Sequence, residues 1–102
     1  MSMLHIVNKS PFERNALASC LGHALEGDAV LLIEDAVVGA IDGSAFAGQL
    51  KSAMADKKIY VLGADLTARG MQVGRVVEGI QVVDYAGFVD LTADNEKTQS
   101  WL

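Results

Sequence analysis

The residues with the clearest chemical potential lie in one short segment, ALASCLGHAL, at positions 16–25. The segment holds the chain's only cysteine, Cys20, and one of its two histidines, His23. A cysteine reacts as the thiolate, and an unassisted thiol is ionised to roughly a few per cent at neutral pH. His23 lies on the adjacent helical turn and is the one neighbour that could assist it. The pair is therefore a candidate sulfur site, with Cys20 as the acceptor thiol and His23 as its helper.

A structural role for Cys20 is the competing interpretation. At about 100° per residue, one sector of a helix here would be apolar, formed by Leu17, Leu21, Ala24 and Leu25. Cys20 falls on the shoulder of that sector, and His23 lies further towards the polar side. Cys20 is also too far along its helix to gain from the N-terminal dipole, and free cysteine is a commonly buried residue type. The residues alone therefore favour a structural cysteine and leave a partly exposed thiol open.

Apolar segments alternate along the chain with segments that have helical spacing. Four of them are typical of strands: MLHIV, DAVLLIED, KIYVLGAD and IQVVDY. Such alternation predicts parallel strands joined by helices on both sides of a sheet. With right-handed crossovers, the expected fold class is α/β. We expect a single flavodoxin-like three-layer domain over residues 1–102, with a mostly parallel sheet of four to five strands.

Local signals predict where several helices begin and end. Ser10 is a good N-cap, Pro11 suits the first helical position, and Glu13 sits where a capping-box carboxylate reaches back to the cap. Ser44 is expected to cap a second helix. The segment LTARG predicts one helical turn closed by Gly70 in a left-handed conformation.

Polar residues follow the predicted strands and would meet at the carboxyl edge of the sheet, where open parallel sheets bind ligands. They are Asn8, Lys9, Ser10, Glu34, Asp35, Gly63, Asp65, Asp84 and Tyr85. The carboxylates could hold Mg²⁺ as in a receiver domain, but helix caps and solvated loop ends explain them better. Neither a phosphate-binding glycine motif nor a closed zinc ligand set is present. We expect no cofactor and no metal site.

The overall composition limits the classes of partner. The net charge is −5 and the eight Lys and Arg residues are scattered, which argues against direct nucleic-acid binding. No apolar run is long enough for a membrane helix, and the N-terminal residues lack an export signal, so we expect a cytoplasmic protein. Half of the residues are hydrophobic, and the chain ends on Trp101 and Leu102. The apolar surplus predicts an obligatory oligomer. The terminal pair is a candidate interface, and packing of the pair against the core is the alternative.

Several segments, taken in order, resemble those of one family. They are LHIVNKSPF, GDAVLLIEDAV, ADLTARG, VDYAGFVDLT and the terminal WL. Each alone is only a strand end or a helix cap, but their order and spacing in a chain of 102 residues are specific. In these segments the chain is similar to the DsrH/TusB-type subunit of the DsrE/DsrF/DsrH-like sulfur-relay family.

The resemblance implies a non-autonomous subunit of a cytoplasmic heterohexameric sulfurtransferase complex. Its expected partners are two DsrE/DsrF-like (TusD/TusC-like) subunits and a small carrier protein of the DsrC/TusE type that receives persulfide sulfur. The sulfur would serve dissimilatory sulfur oxidation, which a cysteine in the first helix favours, or 2-thiolation of the tRNA wobble uridine.

The resemblance also implies that the main acceptor cysteine lies on the DsrE/TusD-type partner, after its third strand. The corresponding segment here, VLGADLTARG, has no cysteine. Cys20 is then a candidate secondary persulfide site. A free-standing thiol sulfurtransferase that uses Cys20 and His23, and a small acidic receiver-like module, are the alternatives.

Overall fold

A computed structural model describes residues 2–10, 12 and 15–101 of the chain. The strands in it form one sheet in the order β4-β3-β2-β1-β5, and every neighbouring pair is parallel. Their bounds are β1 Met3–Val7, β2 Ala29–Leu32, β3 Lys58–Leu62, β4 Gln81–Val83 and β5 Lys97–Trp101. The predicted α/β architecture with a parallel sheet is confirmed.

In the residues that the structure describes, four α-helices and two 3-10 helices connect these strands. The α-helices are α1 Ala16–His23, α2 Ala47–Ala53, α3 Gly63–Ala68 and α4 Tyr85–Asp94. The 3-10 helices span Glu34–Ala40 and Val73–Arg75. None of the helices in the described part of the chain combines the length and the apolar character needed to cross a membrane.

The two faces of the sheet are covered unequally. The larger core cluster includes inward side chains of α1, α2 and α3, among them Leu17, Leu50 and Leu66. The smaller cluster on the opposite face includes Leu91, with Phe88 packed against it, both from α4. The strand order explains the inequality, because three connections run in one direction from β1 to β4 and the last returns to the other edge. Crossovers of the usual right hand place connections that run in opposite directions on opposite faces of a sheet.

The central position of β2 in the sheet explains its continuous apolar sequence. All four of its residues are buried. Val30 and Leu32 belong to the larger cluster, whereas Ala29 and Leu31 belong to the smaller one. A central strand that is covered on both faces has no solvent side on which polar residues could alternate.

Two of the predicted helix starts are wrong. Helix α1 begins at Ala16, and its N-cap residue makes no side-chain cap bond. The Ser10 hydroxyl instead accepts a hydrogen bond from the backbone N–H of Phe12, at 3.2 Å. Helix α2 begins at Ala47 without a side-chain cap, and the Ser44 hydroxyl donates a hydrogen bond to the carbonyl of Gly39 at 3.1 Å.

The remaining boundary predictions have mixed outcomes. Pro11 and Glu13, which were expected in the first helical turn, lie outside the described residues. Gly70 has a φ of +68° immediately after α3 and its C-cap Arg69, so the left-handed ending is confirmed. Leu25 was expected on the core face but is 72% exposed, because α1 ends at His23 and the chain then becomes extended.

Candidate functional site

The Cys20 thiol lies inside the larger core cluster. Its side chain is fully buried, and the residue is a free cysteine. Burial, and secondarily the negative charge of Asp28, raises the pKa of Cys20 from an ordinary 9.0 to about 12. In this conformation the sulfur is a protonated, apolar core atom rather than an activated nucleophile.

His23 lies at the end of α1 and is exposed to solvent. Its Nδ1 donates a hydrogen bond to the carbonyl of Ser19 at 2.7 Å, a carbonyl being only an acceptor. Its ring lies 5.5 Å from the indole of Trp101, centroid to centroid. The described contacts of His23 are thus with the backbone of its own helix and with β5, and the assisting role predicted for it towards Cys20 stays a prediction.

Trp101 ends strand β5 and packs against the larger core cluster. Its indole Nε1 donates a hydrogen bond to Nδ1 of His5 at 3.0 Å, across 96 positions of sequence. The side chain is half-buried, so part of it remains available to a partner. Leu102, the other residue predicted to form an interface, lies outside the described residues.

His5 and Asp28 form a buried polar pair beside this tryptophan. Nε2 of His5 and Oδ2 of Asp28 are 2.9 Å apart, and the two residues are 3% and 4% exposed. Asp28 also accepts from the backbone N–H groups of Leu25 and Met3, at 3.0 and 3.1 Å. Burial alone would raise the pKa of Asp28, but these hydrogen bonds and the His5 ring hold it below its ordinary value.

The sequence reasoning did not single out this Trp101–His5–Asp28 network. A signal was present, since His5 interrupts an apolar strand and Asp28 directly precedes another. Buried polar side chains within such runs require hydrogen-bond partners. The identity of the partners depends on the sheet, because register pairing places Trp101 beside Val7 and brings its ring to the face that carries His5.

The predicted acidic rim is present at the carboxyl edge, and three of its four carboxylates accept hydrogen bonds from the backbone or from one arginine. Asp65 accepts from the backbone N–H of Glu34 at 2.6 Å, a bond that accompanies a left-handed φ of +49° at Glu34. Asp35 accepts from Arg69 Nε and from its terminal nitrogen at 3.0 and 2.9 Å. Asp84 caps α4 through the N–H of Gly87 at 2.8 Å. Within the described part of the chain, no three His, Cys, Asp or Glu residues come close enough together to hold a metal ion.

A shallow cavity of about 540 Å³ lies beyond the ends of β3 and β4. Gly63, Ala64, Val82 and Tyr85 are among its lining residues. The segment that follows β3 begins α3 directly, as Gly63-Ala64-Asp65, and contains neither a thiol nor a histidine. The described lining residues of this cavity therefore include neither a thiol nor a histidine.

Comparisons with known proteins agree with this geometry. The chain matches the family model described as "DsrH like protein" over residues 9–98. It is 37% identical over 99 residues to "Protein TusB" of Escherichia coli O1:K1 / APEC, an alignment that covers 97% of this chain and 100% of that protein. The TusB protein of Shigella dysenteriae serotype 1 is 36% identical over the same lengths.

Solved structures support the fold at much lower sequence identity. The ychN protein of E. coli superposes with a TM-score of 0.73 at 16% identity, covering 98% of this chain and 99% of that one. A protein of unknown function from Methanobacterium thermoautotrophicum gives a TM-score of 0.70 at 15% identity, covering 97% and 96%. The family match and the full-length identity to TusB together show that the chain belongs to the DsrH family, as a sulfur-relay protein of the DsrH/TusB type.

Proposed function

We propose that this chain is a non-catalytic subunit of a cytoplasmic sulfur-relay complex and that the relayed sulfur is carried by its partners. The partners are two related subunits of the DsrE/DsrF (TusD/TusC) type, and the recipient is a small carrier of the DsrC/TusE type. The observation that carries the proposal is the complete burial of Cys20, the chain's single cysteine. A protein that has no accessible thiol can support persulfide transfer only by shaping or completing a site on another subunit.

The chemistry of the transfer explains this requirement. An acceptor thiolate attacks the outer sulfur of a donor persulfide, a new S–S bond forms, and the donor leaves as a thiolate. There is no net oxidation, but the attacking thiol must be ionised and exposed. Cys20 meets neither condition in this conformation, since its pKa is raised to about 12 and its side chain is fully buried.

The exposed apolar side chains support membership of a complex. Tyr85 and Val89 lie one turn apart on α4 and are 62% and 64% exposed, and Val82 of the neighbouring edge strand is 37% exposed. Tyr85 and Val82 help to line the cavity at the ends of β3 and β4. Contiguous apolar surface of this kind usually marks an interaction site. An interface here would place a partner next to the thiol-free pocket.

The relayed sulfur could serve either of two pathways, tRNA thiolation or sulfur oxidation. The 37% identity to TusB proteins supports a sulfur relay that serves 2-thiolation of the tRNA wobble uridine. The sulfur-oxidation branch was favoured on the presence of Cys20, and the burial of that thiol removes much of the support. The net charge of −5 agrees with a subunit that contacts proteins and leaves tRNA to others.

Complementation tests the pathway. In a strain that lacks its own TusB, we expect this chain, expressed with its two partner subunits, to restore 2-thiouridine in tRNA. A variant with Tyr85→Glu and Val89→Glu should fail to co-purify with the partners, whereas Asp90→Lys on the same helix is a charge-change control. Restoration of thiolation by the chain in the absence of both partner subunits would contradict the proposal.

A further inference from the structure

The hydrogen bonds of His5 determine which of its ring nitrogens carries the proton. The indole nitrogen of Trp101 is only a donor, so Nδ1 of His5, at 3.0 Å, must be the acceptor and carries no proton. Asp28 accepts from two backbone N–H groups as well as facing Nε2 of His5 at 2.9 Å, which is the pattern of an ionised carboxylate. His5 is therefore neutral in this arrangement, with its proton on Nε2.

We propose that His5 is a proton-sensitive latch for the C-terminal strand β5. A proton added to Nδ1 turns the acceptor of the Trp101 indole into a donor, so two N–H groups face each other and the bond is lost. The Asp28 contact survives, because Nε2 donates in both protonation states. Protonation of His5 thus releases Trp101 and leaves the His5–Asp28 hydrogen bond in place.

Other titratable groups surround the network. Asp28, before β2, faces Nε2 and carries a negative charge. The ring of His23, at the end of α1, lies 5.5 Å from the indole, centroid to centroid, and is a second titratable ring beside the same tryptophan. Cys20 of α1 lies in the adjoining core and is a neutral thiol. Glu96 and Lys97 line the same small cleft as Asp28 and carry opposite charges.

The latch acts on β5, which lies at one edge of the sheet. In the described structure β5 pairs with β1 alone, and its first four residues, Lys97 to Ser100, are exposed. Trp101 is the residue of this strand that packs against the core. Loss of its hydrogen bond therefore loosens the end of an edge strand whose other side is open to pairing.

The single tryptophan of the chain makes the test direct. The full-length chain, labelled with ¹⁵N in tryptophan and histidine, is titrated from about pH 8 to about pH 5, the range in which histidines change charge. We expect His5 to show the Nε2–H tautomer at the upper end. As the pH falls, the Trp101 indole resonance should move upfield and the fluorescence of Trp101 should become more accessible to acrylamide. Far-UV circular dichroism at each pH confirms that the chain stays folded.

Two variants distinguish an effect of His5 on Trp101 from an effect of His23. His5→Gln supplies an amide oxygen for the indole and an amide N–H for Asp28, but it does not titrate. We expect this variant to abolish the pH dependence of Trp101, and His23→Gln to retain it. The proposal is overturned by an Nδ1–H tautomer of His5, by a Trp101 environment that does not change across the range, or by a pH dependence that persists in His5→Gln and disappears in His23→Gln.

Discussion

Alkylation of Cys20 gives the most quantitative test of its burial. The pKa of the thiol is raised from 9.0 to about 12, which lowers its thiolate fraction about a thousandfold at any pH well below both values. Iodoacetamide reacts with the thiolate. We therefore expect native Cys20 to react at least about a thousandfold more slowly than the same cysteine in the unfolded chain, with any further slowing due to lack of access.

The assay follows the mass of the intact chain over time at about pH 8, in native buffer and in denaturant. A matched control carries an exposed thiol on the same scaffold, Ser52→Cys in a Cys20→Ser background, because Ser52 is exposed on α2. This control should react at nearly the rate of the unfolded chain. A native Cys20 that reacts within tenfold of the control would refute the reasoning and restore the persulfide role predicted for this residue.

Two stability predictions follow from close contacts and from charge. Gly87→Ala places a Cβ 2.9 Å from the Cβ of Val83 and should lower the free energy of unfolding by about 1–3 kcal/mol, whereas Gly22→Ala, with nothing within 4 Å, should raise it by about 0.5–1 kcal/mol in denaturant titrations. A change of the same sign in the free energy of unfolding for both substitutions would contradict the close packing of α4 against β4. Asp28→Asn should cost about 1–3 kcal/mol at neutral pH, because two backbone N–H groups and His5 lose their charged acceptor. The folded pKa of Asp28 lies below its unfolded value, so the wild-type advantage is complete above about pH 4 and disappears as the pH falls through the folded pKa; an advantage that grows in acid would contradict this assignment.

The fold was predictable from the sequence because its signals are local and repeated. The run at β2 is apolar throughout, which is the pattern of a strand buried on both faces, and its four residues are indeed buried. Gly70 ends α3 in the left-handed conformation that the segment LTARG predicted. These features depend on residues that are close together in the sequence, and one sequence is therefore enough to predict them.

The candidate site was less predictable, for two physical reasons. The inward face of α1 depends on where the helix ends. Because α1 ends at His23, Leu25 does not belong to that face, whereas Leu17 and Cys20 are buried on it. The Trp101–His5–Asp28 network joins residues up to 96 positions apart. Only the order and register of the strands bring them together, and neither is encoded in a local pattern.

We propose that the relayed sulfur is never bound to this chain. The most direct measurement is the intact mass of every subunit after the assembled complex has been loaded from a persulfide donor, with wild-type Cys20 and with Cys20→Ala. We expect one additional sulfur atom on a partner subunit, none on this chain, and equal transfer to the carrier by both complexes. An added sulfur on this chain that disappears in Cys20→Ala, together with slower transfer to the carrier, would contradict it.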